Sequence, residues 1–167
     1  MNKPVIHHSA LDFGLHEFEF HLDNDFFKDF DYDDFLNCSI DVAVTLQKEE
    51  ALMMVTMNCN GFVVTQCDRC LSDLQLNVNT SDSFIVKFEE GENDEENIMY
   101  ISDDESIDLS HSLYDLIVMS LPVRKVHPDD ENGNSTCAPE QLRFLEQYKK
   151  HDAIDPRWEA LMNLKEE

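Results

Sequence analysis

From Ser39 to Cys59 the chain alternates polar and apolar side chains with a period of two, broken once in the middle. Ile40, Val42, Val44 and Leu46 occupy every second position among Ser39, Asp41 and Thr45. Gln47-Lys48-Glu49-Glu50 makes a polar break, and Met53, Val55, Met57 and Cys59 resume the pattern. Successive side chains of a strand point to opposite faces, so such a pattern buries one face and wets the other; it predicts a β-hairpin. Gly61 interrupts the second strand, where a bulge is expected, and Phe62 to Gln66 continues it towards Cys67. Phe18, Phe20 and Leu22 alternate with Glu17, Glu19 and His21 as an earlier strand. Leu74, Leu76 and Val78, then Phe84, Val86 and Phe88, predict a further strand pair, and Ile98 to Ile101 a short strand.

The stretch from Asp23 to Asp34 mixes Phe26, Phe27, Phe30 and Tyr32 with aspartates, so a loop or short helix with its rings packed on the sheet is expected. Asp108 is placed to cap a helix whose Leu109, Leu113, Leu116 and Ile117 fall on one face, until Pro122 stops it. Two helices are expected after it, one from Pro139 to about Lys149 and one opened by Asp155 with Pro156 in its first turn, carrying Trp158, Leu161 and Leu164 on one face. The fold class is therefore α+β: an antiparallel sheet or partly closed β-barrel with one core helix and a helical C-terminal tail. A chain of 167 residues suits a single domain, with an acidic, Gly-containing loop at 89–97 and an irregular connection at 123–138.

Thirty-six acidic residues against 12 basic ones leave a formal net charge of -24. Such a surface repels phosphate backbones, which disfavours broad nucleic-acid binding and suits a basic protein partner. The first residues, Met1 to His8, contain no apolar run of signal length, and no stretch approaches the roughly 20 apolar residues that span a bilayer. A cytoplasmic protein without membrane contact is expected. Five cysteines, an odd number, point to reduced thiols or metal ligands over a disulfide framework.

The sharpest local motif is Cys67-Asp68-Arg69-Cys70 between two predicted strands. His127 and Cys137, in the irregular connection, supply a second pair of soft or borderline donors. A tetrahedral zinc ion clamped by two distant ligand pairs is the usual structural arrangement, so Cys67, Cys70, His127 and Cys137 are the candidate ligands of a structural zinc. The alternative is a thiol redox pair at Cys67 and Cys70, which would need a helix N-terminus to lower a thiol pKa. Cys38 and Cys59 share the core-facing parity of their strands and read as small buried hydrophobes. The histidines other than His127 lack partners at ligand spacing, and no nucleophile comes with an identifiable base. Only four glycines occur and none forms a phosphate-cradling loop, so nucleotide hydrolysis and dehydrogenase chemistry are unsupported and no catalytic residue is expected. The runs Asp103-Asp104-Glu105 and Glu92 to Glu96 lack the spacing of a calcium loop and read as solvated charge.

Four pieces in order resemble the YceD family of large ribosomal RNA subunit accumulation proteins. They are Cys67-Asp68-Arg69-Cys70-Leu71, the acidic loop, Ile107-Asp108-Leu109 opening a helix that ends in Leu121-Pro122, and Val126-His127 with a later cysteine. The tail Asp155-Pro156-Arg157-Trp158 with Leu161 and Leu164 is similar to that family's end. The resemblance implies a non-enzymatic factor that supports large-subunit ribosomal RNA synthesis, processing or stability. Joined to the charge, it makes a basic ribosomal protein or large-subunit assembly factor the expected partner. Direct binding of precursor ribosomal RNA through Arg124, Lys125 and Arg157 is the alternative.

Overall fold

The computed structural model describes residues 3–88, 97–101 and 106–149. Its strands are β1 (Val5–Ile6), β2 (Gly14–Leu22), β3 (Asn37–Lys48), β4 (Leu52–Gln66), β5 (Asp73–Lys87), β6 (Ile98–Tyr100) and β7 (Ile107–Asp108). Its helices are α1 (Asn24–Lys28), α2 (Ser110–Ser120) and α3 (Pro139–Lys149). Most of the expected acidic loop, the run from Asp103 to Glu105 and the helix expected after Asp155 lie outside the described residues. Contacts divide the chain into two compact units, one of Met1–Gln66 with Asp73–Lys125 and the other of Cys67–Ser72 with Val126–Glu167.

The first unit is α+β, as the alternation implies. Five strands in the order β2-β3-β4-β5-β6 form an open sheet, antiparallel except where β6 runs parallel to β5. The described strands end on β2 and β6 without closing, so the architecture is the sheet and not the barrel. The hairpin turns where expected: β3 pairs antiparallel with β4, and the Glu49 N–H donates to the Leu52 carbonyl. Ile40, Val42, Val44 and Leu46 of β3 and Met53, Val55, Met57 and Cys59 of β4 are all buried on one face. Each such aliphatic side chain contributes ~1.5–3 kcal/mol by leaving water.

Gly61 breaks the expectation of a bulge. The register runs through it without a skip, with Asp41 opposite Asn60, Ile40 opposite Gly61 and Ser39 opposite Phe62. The reason for glycine is space: a Cβ here would collide with the Ser39 carbonyl oxygen and lie 2.7 Å from the Ile40 Cα. The strand pair expected between Leu74 and Phe88 is likewise one strand, β5, paired to β4 over its whole length. Asn79 to Ser83 resembles a turn in composition, but the parity of Leu74, Val78, Phe84 and Val86 never changes and all four stay buried.

The aromatic stretch is a short helix, as one of its two expected forms allows. The Asp23 carboxylate accepts the Asp25 N–H and caps α1, whose Phe26 and Phe27 are buried. Phe27 meets Phe35 edge-on at 4.8 Å, and Phe30 stacks on Tyr114 of α2 at 4.5 Å. Such pairs add ~0.5–1.5 kcal/mol each beyond area burial. The start of α2 is fixed from two sides. Asp108 accepts the Ser110 N–H at 2.8 Å, and the β1–β7 pair is prolonged by a bond from the Leu109 N–H to the Pro4 carbonyl. Leu113 and Ile117 are fully buried, and the helix ends before Pro122. No helix among the described residues is long and apolar enough to cross a membrane.

Gly61→Ala should lower stability by ~1–3 kcal/mol, because backbone on β3 has to give way to one methyl group. Urea unfolding is expected to show a lower midpoint at unchanged slope; a midpoint equal to that of the natural chain would contradict the close approach.

Candidate metal centre

The second unit is built from a six-residue turn between β4 and β5, Cys67–Ser72, and from the chain after Lys125. In the turn the Leu71 N–H donates to the Cys67 carbonyl and the Cys67 N–H to the Ser72 carbonyl, both at 2.9 Å. Leu71 closes it at φ +59, in the left-handed region that disfavours a residue with a Cβ. The effect is to turn the thiols of Cys67 and Cys70 to the same place.

The other two donors come from the connection, which is irregular but ordered around one aspartate. The Asp130 carboxylate accepts the N–H groups of Asn132 and Asn134 at 2.9 and 2.7 Å, Gly133 takes φ +80, and Asp129 pairs with Ser135 as an isolated antiparallel bridge. The Thr136 hydroxyl donates to the Pro128 carbonyl at 2.6 Å. This folded-back loop brings Cys137 to His127, although ten positions separate them. The Cys137 Sγ lies 3.8 Å from the His127 Nδ1.

All four expected ligands therefore converge: the sulfurs of Cys67, Cys70 and Cys137 and a ring nitrogen of His127 lie within 4.8 Å of one another. The three cysteines are buried and His127 is half-buried. Cys67 Sγ stands 3.8 Å from Cys137 Sγ, and Cys70 Sγ 3.5 Å from His127 Nδ1. A tetrahedral ion with bonds of ~2.3 Å to sulfur and ~2.0–2.1 Å to nitrogen has edges of about 3.8 Å between sulfurs and about 3.5 Å between sulfur and nitrogen. The donor set and its spacing can hold a metal ion of that kind. The sulfurs are too far apart to be disulfide-bonded, and all five cysteines are free thiols.

The surroundings lower two of the three thiols and raise the third. The Ser72 hydroxyl, 2.8 Å from the Cys70 sulfur, draws that thiol down to about 5, against a raising effect of burial and with help from the N–H groups of Ser72 and Ala138. At Cys67 burial raises the pKa, but the N–H groups of Arg69, Cys70 and His127 outweigh it and the net shift is downward. At Cys137 the Ser135 hydroxyl pulls down, while burial and the two neighbouring sulfurs push the thiol up, and the upward effects win. The core thiols behave otherwise: burial alone pushes Cys59 up to about 11, and burial, with Asp23 nearby, does the same to Cys38. They are small core hydrophobes, as their strand parity implies.

Three supporting residues are not apparent from the motif. Arg69 donates through Nη1 to the Ser135 hydroxyl at 2.6 Å and stands 3.8 Å from the Asp129 carboxylate, clipping one ligand loop to the other. Ser135 in turn accepts the Cys137 N–H at 3.3 Å. Ser72 follows Cys70 by two positions and Ser135 precedes Cys137 by two, a spacing that the sequence carries. The helix N-terminus needed by a redox thiol does not occur at Cys67 or Cys70, which occupy a turn. Of the basic residues weighed for RNA, Arg124 is exposed, Lys125 is 3.5 Å from the Asp34 carboxylate, and Arg157 lies outside the described residues.

A family model described as Large ribosomal RNA subunit accumulation protein YceD matches residues 55–165, which span both ligand pairs. No curated protein sequence and no solved structure matches the chain.

Arg69→Ala should loosen the hold of one ligand loop on the other and reduce the affinity of the cluster for zinc about 10- to 100-fold, measured by competition with a chromophoric chelator. Arg69→Lys should restore only part of it, since an ammonium cannot reproduce the guanidinium fork. Equal affinities in all three chains would show that the clip plays no part in the site.

Proposed function

The chain belongs to the YceD family of large ribosomal RNA subunit accumulation proteins, and on that premise we propose that it supports large-subunit ribosomal RNA accumulation by binding, as a cytoplasmic, non-enzymatic factor that holds a basic ribosomal protein or assembly factor. The observation that carries this reading is the family match over residues 55–165, together with a net charge of -24. A ribosomal protein is basic because it must lie against phosphate, so an acidic holder and ribosomal RNA compete for the same surface of it. The holder attracts its partner over a distance and yields it to the denser charge of RNA. The acids of this chain are spread for that task. Glu17 and Glu19 of β2 and Asp41 of β3 are exposed on the sheet face opposite the core, and Asp129, Asp130 and Glu131 are exposed in the second unit.

In the same reading the Cys67, Cys70, His127 and Cys137 cluster holds a structural zinc. Four protein ligands would fill a tetrahedral ion and leave no open position for a substrate or an activated water. The ion would fix the two ligand loops together in a unit too small to bury much apolar surface. The ligand-free sheet supports this division, since the hydrophobic core draws on Cys38 and Cys59 but on none of the cluster's thiols.

Affinity capture with the tagged chain from cells that normally make it is expected to enrich large-subunit ribosomal proteins above a control protein of matched acidity. Enrichment no greater than the control's would sink the proposal. Elemental analysis of chain purified without chelator should give about one zinc per chain, lost in a Cys67→Ser/Cys70→Ser variant whose sheet keeps its circular dichroism. Metal-free, fully reduced protein would remove the zinc part and leave the binding part standing.

A further inference from the structure

Helix α2 crosses the inner face of the sheet with Leu113 and Ile117 directed fully into the core, but its next face is only partly covered. Between that face and the strands β5 and β6 runs a groove of about 800 Å³. Phe84, Ile98, Met99, Leu116 and Met119 line it with apolar surface. Met119, near the C-terminal end of α2, is 84% exposed. An unbranched thioether in such a position gains little from the fold and is well suited to pack against irregular partners.

The polar lining is one-signed. Asp82 of β5, Asp108 before α2 and Asp115 on α2 are exposed carboxylates along the groove. Among the described residues, the one lining side chain able to carry positive charge is His111, whose Nε2 lies 3.5 Å from the Asp115 carboxylate. Three carboxylates around an apolar floor exclude a phosphate backbone and complement a peptide in which lysine or arginine flanks apolar anchors. We infer that the groove between α2 and strands β5 and β6 is the docking site for such a basic, apolar-anchored segment of a protein partner. The inference rests on the reading of the chain as a holder of a basic protein and gives that reading a location. The apolar anchors take up the exposed side of Met119 and Leu116, and the basic residues reach Asp82 and Asp115 on opposite walls.

The test uses the full chain and a fluorescein-labelled peptide of about 15 residues, apolar at helical spacing and lysine-rich elsewhere. A scrambled peptide of the same composition serves as control. Fluorescence anisotropy is expected to show binding of the patterned peptide well above the scrambled one. Met119→Glu should weaken it about 10-fold or more, through lost apolar burial. Asp82→Asn and Asp115→Asn should each weaken it about 2- to 5-fold, in a salt-dependent way. All three positions are exposed, so unchanged circular dichroism and thermal unfolding should accompany these losses. No binding of the patterned peptide at low salt would overturn the inference. So would equal binding of both peptides with Met119→Glu indifferent, because attraction to net charge alone would then suffice. Capture from cells separates this inference from the reading beneath it. If Met119→Glu retains ribosomal proteins as well as the natural chain does, the groove is overturned and the holder reading stands. If neither chain enriches them while the peptide losses occur, the holder reading falls and the groove stands.

Discussion

The pairing of β4 with β5, unbroken from Leu52 opposite Lys87 to Gln66 opposite Asp73, is the constraint on which the rest of the structure depends. Side chains alternate with a period of two, so a slip of one residue would expose Met53, Val55, Met57 and Cys59 and bury their polar neighbours. The slip is forbidden by the loss of a whole apolar face, and this is why fifteen-residue strands can carry the polar run from Asn79 to Ser83 without turning there. On its other edge β4 pairs with β3, and that register sets Gly61 against the backbone of Ile40, a spacing that only a residue without a Cβ satisfies. The β4–β5 pairing also leaves six residues, Cys67 to Ser72, to make the turn that carries two thiols.

Cysteine plays two parts in this chain, and the surroundings decide which. Cys38 and Cys59 are enclosed by side chains that offer nothing to a negative charge, and burial raises both thiols to about 11. They remain protonated and serve as packing. Cys67 and Cys70 are as well hidden from solvent, yet backbone N–H groups and the Ser72 hydroxyl face their sulfurs and lower both. Hydrogen-bond donors facing the sulfur are what set Cys67 and Cys70 apart from the two core thiols. Arg69 adds the mechanical element by tying the turn to Ser135, so the four donor atoms are held close by protein contacts.

Charge and apolar surface serve different ends here. A net charge of -24 acts at a distance and is indifferent to the identity of a cationic partner. Selection requires a shaped contact, and the groove beside α2 combines one with carboxylates of the same sign as the whole molecule. Long-range attraction and local fit would then favour the same partner, which is how an acidic protein can be selective among many basic ones.

The sequence by itself determined the hairpin, the buried faces of β2, β3 and β4, the core helix with its stop at Pro122, and the identity of four candidate ligands. Each of these is written in the spacing of residues: a period of two, a three- and four-residue recurrence, or a pair of cysteines three positions apart. Only the tertiary structure decided that Gly61 marks a close approach, since a bulge and a tight backbone contact leave the same residue in the sequence. It alone joined β1 to β7 and ran β6 parallel to β5, because two- and three-residue strands carry too few side chains to show a period. The convergence of His127 and Cys137 on the cysteine turn was a tertiary matter too. It depends on a loop folded around Asp130 and on a guanidinium reaching across to Ser135, and hydrogen bonds between distant residues leave no periodic trace in a sequence.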